Sequence, residues 1–166
     1  MTSLFDKFLE LIDRFEKEGV DYVLIGGFAV ILYGMPRLTQ DVDIFVRNDS
    51  DNIDRLQRAL YDMFSDDSIR EITVEELERY PVIRYGSPDG FVIDFIVKIG
   101  EAFTYDDLNH EIIEVEGRRI RVATAETLYR LKKDTKRPID QSDAAFLAEL
   151  LRHRQEQEKE KAKEKE

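Results

Sequence analysis

A chain of 166 residues with 25 Lys and Arg against 36 Asp and Glu, a net charge of −11, is long enough for one domain with a real core. Its acidity argues against a broad electrostatic grip on nucleic acid, and the lack of cysteine excludes disulfides and thiolate chemistry. No apolar run reaches membrane-spanning length and MTSLFDKFLE lacks the marks of a signal peptide, so a cytoplasmic protein is the expectation.

Leu4, Phe5, Phe8, Leu11, Ile12 and Phe15 recur at helical spacing and predict an amphipathic first helix ending at Gly19. DYVLIGG reads as a short buried strand from Tyr22 to Ile25 that stops at Gly26 and Gly27, and FAVILYG as a short apolar helix stopped by Gly34. DVDIFV is a strand, and DSDNIDRLQRALYDMF a helix with Ser50 or Asp51 as its cap. TVEELERY places Thr73 and Glu76 at capping-box spacing. PVIRY and FVIDFIV flank the turn residues GSPDG, which predicts a hairpin with Asp94 in its second strand. EIIEVEGRRIRV predicts another hairpin, turning at Glu116 and Gly117. TAETLYRLKKD and RPIDQSDAAFLAELLRHR then read as two helices meeting near Pro138.

There is no internal repeat and no linker long enough to separate a second domain, so residues 1–154 read as a single domain. QEQEKEKAKEKE, residues 155–166, is a charged tail, either disordered or an extension of the last helix. The tail holds five Glu and four Lys, so the acidity belongs to the folded part. Against it stand RLKKDTKR, with five basic residues in eight, and GRRIR, with three, where a local anion site is plausible.

Alternate residues of a strand share a face, so Asp41 and Asp43 project together while Val42, Ile44 and Val46 project to the other side. Two like charges about 6–7 Å apart need a compensating cation. Asp94 repeats the anomaly, with three apolar residues on either side of it in FVIDFIV. Three carboxylates on neighbouring strands, without His, form the all-oxygen set that Mg²⁺ prefers, especially when it shares substrate phosphates. A Gly-Gly step between strand and helix lets backbone approach a ligand closely, and the first amides of the helix favour an anion. Phosphate on one side and metal-binding carboxylates on the other define a nucleoside triphosphate site.

With Gly26, Gly27, Asp41, Asp43 and Asp94 in this order, the sequence resembles the nucleotidyltransferase superfamily related to DNA polymerase beta. Within it, the chain is similar to small prokaryotic nucleotidyltransferase-like proteins, including abortive-infection toxins of toxin–antitoxin systems. YGMPRLTQDVD supplies Gly34, Arg37 and Thr39, and LKKDTKRPIDQSDAAFL supplies Lys132, Arg137, Asp140 and Asp143, in the pattern of those proteins. Phe28 and Tyr33 depart from it, where many relatives carry serine and some histidine; the Phe28 position would serve phosphate through its amide alone. The resemblance implies an α/β (α+β) nucleotidyltransferase fold, a mixed twisted sheet of about five strands flanked by helices, with the C-terminal helices beside the site.

It further implies transfer of a nucleoside monophosphate from an NTP to an acceptor hydroxyl with release of pyrophosphate. One or two Mg²⁺ ions, or Mn²⁺ in their place, would be held by Asp41, Asp43 and Asp94, with Asp94 near the acceptor hydroxyl as general base. Gly26, Gly27, Phe28, Arg37, Thr39 and Lys132 would contact the nucleotide and its phosphates. The acceptor is open among RNA, protein and small molecules, and an antitoxin-like partner is implied for a toxin. Bland readings stand beside these: structural acids at Asp43 and Asp94, solvated Arg37 and Lys132, and an ion pair of Arg137 with Asp140 or Asp143 at a helix start. A nucleotide-binding module without turnover and a toxin acting on tRNA are the alternative functions.

Overall fold

Helix α1 (Leu4–Glu18) begins where the Ser3 side chain accepts a hydrogen bond from Asp6 N at 3.1 Å, and ends at Gly19, whose φ of 71° closes the last turn. From there the chain, seen in a computed structural model that describes residues 3–101 and 103–165, alternates short strands with helices. Strand β1 (Tyr22–Ile25), helix α2 (Gly26–Leu32) and strand β2 (Asp41–Val46) come first. Helix α3 (Ser50–Phe64), a 3₁₀ turn (Asp67–Glu71), helix α4 (Val74–Arg79) and the hairpin of β3 (Val82–Gly86) and β4 (Val92–Ile96) follow. A two-stranded ribbon, β5 (Lys98–Ile99) with β6 (Phe103–Thr104), leads to the hairpin of β7 (His110–Val115) and β8 (Arg118–Ala123). Helices α5 (Ala125–Lys132) and α6 (Pro138–Glu164) close the chain, Pro138 opening α6 where its missing N–H costs nothing.

Six strands form one mixed sheet in the order β3-β4-β2-β1-β8-β7. The expected architecture of a mixed sheet flanked by helices is therefore present, with six strands where about five were expected. β1 runs antiparallel to β2 and parallel to β8, while β2 runs parallel to β4. One face carries Tyr22, Leu24, Val42, Ile44, Ile93 and Phe95, all but fully buried. Helices α1 and α3 cover that face: Phe15 packs on Tyr22 with ring centroids 5.3 Å apart, and Phe64 on Tyr85 at 5.6 Å. Such pairs each add about 1 kcal/mol beyond the area they bury. The opposite face is where the acids emerge. Among the described residues no helix is long and apolar enough to cross a membrane.

One local expectation is corrected. The cap of α3 is Asp49, not Ser50 or Asp51: its side chain accepts from Asn52 N at 2.8 Å. The reason lies in Asn52, which is fully buried and accepts from Asp21 N at 2.7 Å while donating to the carbonyls of Asp21 and Arg47 at 3.0 and 2.8 Å. Its amide joins the start of β1 to the end of β2, so the helix must begin three residues before it.

Candidate active site

The site face is built by strand register. In the parallel pair of β2 and β4, Asp43 stands directly opposite Asp94, and Asp41 opposite Val92. Paired residues share a face, so Asp41, Asp43 and Asp94 all leave the sheet on the side away from α1 and α3. Val42, Ile44, Ile93 and Phe95 hold this register, because a slip by one residue would expose them and bury the acids. Burial and the adjacent Asp94 charge, together with a hydrogen bond to Asp94, push the Asp43 carboxyl up to about 7. The charge of Lys132 acts in the opposite sense, lowering it.

A residue that the sequence pattern did not single out completes this group. Arg84, on β3, pairs in register with Asp94. Its Nε donates to Asp94 Oδ1 at 2.9 Å, and its Nη2 donates to Asp94 Oδ2 and Asp41 Oδ2, each at 3.0 Å. The strand pattern carried part of the signal: counted outward from GSPDG, Val82 would fall opposite Asp94, with Arg84 two residues away on the same face, but the loop closes one residue later, with Gly86 opposite Val92, and this brings Arg84 level with Asp94. The three acids do not converge on one point as they lie. Among the described residues, no three acidic or histidine side chains stand close enough together to grip an ion. Asp43 leans on Asp94, and Asp41 joins them through Arg84.

Gly26 explains how tightly the turn fits. Its φ of 74° is in the left-handed region, and a Cβ there would overlap Asp43 Oδ2 and lie 2.8 Å from Asp43 Cβ and Cγ. A Cβ on Gly27 would meet Thr39 Oγ1 at 3.0 Å and Arg37 Cζ at 3.1 Å, so the loop after α2 folds back over the Gly-Gly step. No side chain caps α2 at Ile25. The Phe28 ring packs on Phe8 at 4.8 Å, within the core, which leaves its backbone alone at the helix start. Gly26→Ala is expected to lose about 2–4 kcal/mol of stability, from the left-handed backbone and from the displaced Asp43. Denaturant titration reads this directly; a variant as stable as the parent would show that the turn accepts a side chain.

On the other flank, α5 and α6 supply a buried ion cluster. Lys132, buried at the end of α5, donates to Asp143 Oδ2 at 2.7 Å and to Asp140 Oδ1 at 3.3 Å. Arg37 donates Nη1 to the same Asp143 oxygen at 2.5 Å. Asp143 is fully buried, and its Oδ1 has no hydrogen-bond partner among the described residues. Arg37 and Lys132 are thus tied to Asp143 rather than solvated, although an ammonium with three donors keeps one to spare. Arg137 is exposed and stands 3.8 Å from Asp140, so the pair at the helix start falls on Asp140 and not on Asp143. Thr39 Oγ1 donates to the Asp41 carbonyl at 3.3 Å, and Tyr33 OH donates to the Ala123 carbonyl at 2.8 Å, tying α2 to β8. His110 and His153 are exposed.

A cavity of about 140 Å³ opens between Gly26, Lys132 and Asp140, with Ile99, Leu128 and Leu131 as apolar walls. A larger depression of about 450 Å³ runs between α1 and α3 and contains none of these residues. The smaller cavity adjoins Lys132 and Asp140, while a further depression of about 470 Å³ is lined by Arg84 on the β3 side.

Comparison with known proteins bears on the fold and the family. Among solved structures, a putative nucleotidyltransferase from Thermotoga maritima superposes with a TM-score of 0.52 at 16% identity, covering 92% of each chain. The lincosamide antibiotic adenylyltransferase LnuA with lincomycin bound gives 0.50 at 15% identity, over 85% of this chain and 94% of that one. The enzyme ANT(2")-Ia in complex with adenylyl-2"-tobramycin gives 0.50 at 13% identity, over 87% of both. At these identities the likeness is one of fold. No curated protein matches the sequence. Residues 10–134, however, match the nucleotidyl transferase AbiEii toxin family of type IV toxin–antitoxin systems, and that span is most of the chain. With the Gly-Gly turn, the opposed acids and the nucleotidyltransferase fold in one molecule, the chain belongs to the AbiEii nucleotidyltransferase family.

Proposed function

We propose that the protein transfers a nucleoside monophosphate from a nucleoside triphosphate to an acceptor hydroxyl, with Mg²⁺ held by Asp41, Asp43 and Asp94. The observation that carries this reading is Asp43 set opposite Asp94, beneath a glycine whose Cβ would collide with the Asp43 carboxylate. The donor set suits a hard divalent ion, being all carboxylate oxygen, and the upward push that burial and Asp94 exert on the Asp43 carboxyl marks a place that favours added positive charge. When bound, such an ion supplies charge for the triphosphate and for the oxygens that enter and leave.

The remaining steps belong to the chain. The Gly26, Gly27 and Phe28 amides receive phosphate oxygens, and the spare donor of Lys132 approaches from α5. Arg37 and Thr39 hold the loop over Gly27. Asp94 takes the proton of the acceptor hydroxyl, whose oxygen bonds to the α-phosphorus as the bond to pyrophosphate breaks. Family membership supports an antitoxin partner and a toxin role. The acidity of the folded part favours an acceptor met through local contacts over one gripped along an extended nucleic-acid backbone.

Labelled NTPs incubated with Mg²⁺ and a panel of tRNAs, proteins and small hydroxyl compounds test the proposal. Transfer that needs a divalent ion and disappears in Asp94→Asn supports it. Nucleotide binding without transfer to any acceptor would favour a module that has lost turnover, and an absence of both binding and transfer ends the proposal.

A further inference from the structure

The carboxylate face carries a cation of its own. Arg84 lies on β3, the outermost strand at that edge of the sheet, and bridges Asp94 and Asp41 through three hydrogen bonds of 2.9–3.0 Å. Its side chain is 63% exposed, so it can leave this position without disturbing the core. Lys132, by contrast, is buried and pinned by Asp140 and Asp143 on the opposite flank. A guanidinium fork fits carboxylate and phosphate alike, which makes it able to exchange one for the other.

Resting on the metal–nucleotide reading above, the geometry points to Arg84 as an exchangeable countercation: it neutralises Asp41 and Asp94 in the metal-free protein, yields them when a metal–triphosphate complex enters, and moves its fork onto the phosphate oxygens. A bare ion must displace the guanidinium into water, whereas the complex offers it a new anionic partner. The site therefore selects the metal–triphosphate complex over the free ion, and Arg84 is the residue that sets the selection.

The test is Mn²⁺ binding, followed by electron paramagnetic resonance, to the parent protein, Arg84→Ala and Arg84→Gln, with and without a non-hydrolysable ATP analogue. Without nucleotide, both variants are expected to bind Mn²⁺ about tenfold more tightly than the parent, since no guanidinium competes. With the analogue the order reverses, the parent binding the Mn²⁺ complex about tenfold more tightly than either variant. With diamagnetic Mg²⁺ in place of Mn²⁺, the Arg84 Nε–H resonance of the parent is expected to shift on adding the complex, and to shift with free ion only at a higher concentration. If Arg84→Ala does not fold, Arg84→Gln and the resonance decide the matter. Variants whose affinity for free Mn²⁺ is unchanged or weaker, in a parent that binds both ion and complex, overturn the exchange and leave the metal site standing. No Mn²⁺ binding by any of the three proteins under either condition removes the metal reading, and the exchange with it.

Discussion

Asp43→Asn is expected to cut nucleotidyl transfer by about a thousandfold while making the metal-free protein more stable above neutral pH. The two effects have one origin. Folded Asp43 keeps its proton up to about 7, against the ordinary 3.8, because it is buried beside Asp94. Between those values the folded state binds more protons than the unfolded chain, so stability is highest at the acid end and falls as pH rises through the window. The loss across it is on the order of 2–4 kcal/mol, and Asn, which never ionises, does not suffer it. Denaturant titrations from pH 5 to pH 8 in the presence of a chelator read the difference. Added Mg²⁺ should restore the parent at high pH and leave the variant unmoved. Identical pH slopes in parent and variant would sink the assignment of Asp43 as an ionisation held in check by its neighbours.

Asp143→Ala is expected to cost about 3–5 kcal/mol, because it strands two cations that share one buried acceptor. Arg37 and Lys132 both donate to Asp143 Oδ2, and neither has water enough to replace it: their side chains are 14% and 11% exposed. Removing a charge together with its partners is cheaper than removing it alone, so Asp143→Leu combined with Lys132→Met should recover part of the loss. Midpoints of urea unfolding decide it. A cost below about 1 kcal/mol would mean that the cluster is effectively solvated, as an exposed ion pair is.

These two residues also mark the boundary of what the sequence made legible. Asp43 announces itself because strand alternation is a local rule: DVDIFV in any half-buried strand puts both acids on one face, and Asp94 in FVIDFIV breaks an apolar run in plain view. The Gly-Gly step is equally local, read as a tight turn that brings backbone close to a ligand; that Gly26 also lacks room for a side chain because Asp43 stands against it is a tertiary contact the spacing did not give. Asp143 is different. The spacing allowed it an ion pair with Arg137, but its partners include Arg37, 106 residues earlier, brought to it by α6 packing against the loop after α2. No periodicity encodes such a contact. Arg84 falls between the two cases: strand alternation puts it on the face of Asp94, but the register that brings the two level depends on the loop closing one residue beyond GSPDG, and an arginine in an edge strand raises no anomaly that draws attention. The β5–β6 ribbon, with two residues in each strand, is too short for any pattern to declare it.

The parallel pairing of β2 with β4 has a consequence for the order of events in folding. Antiparallel neighbours can zip from a tight turn, but a parallel pair forms only after a crossover has closed, here through α3, the 3₁₀ turn, α4 and β3. Loop closure of that length is slow compared with hairpin or helix formation. A chain leaving the ribosome thus displays Gly26, Gly27, Asp41 and Asp43 well before Asp94 has been synthesised, and carries no opposed carboxylate pair until β4 docks. Assembly of the acidic pair is a late, non-local step, and any factor that holds back sheet closure during synthesis holds back the charge cluster with it.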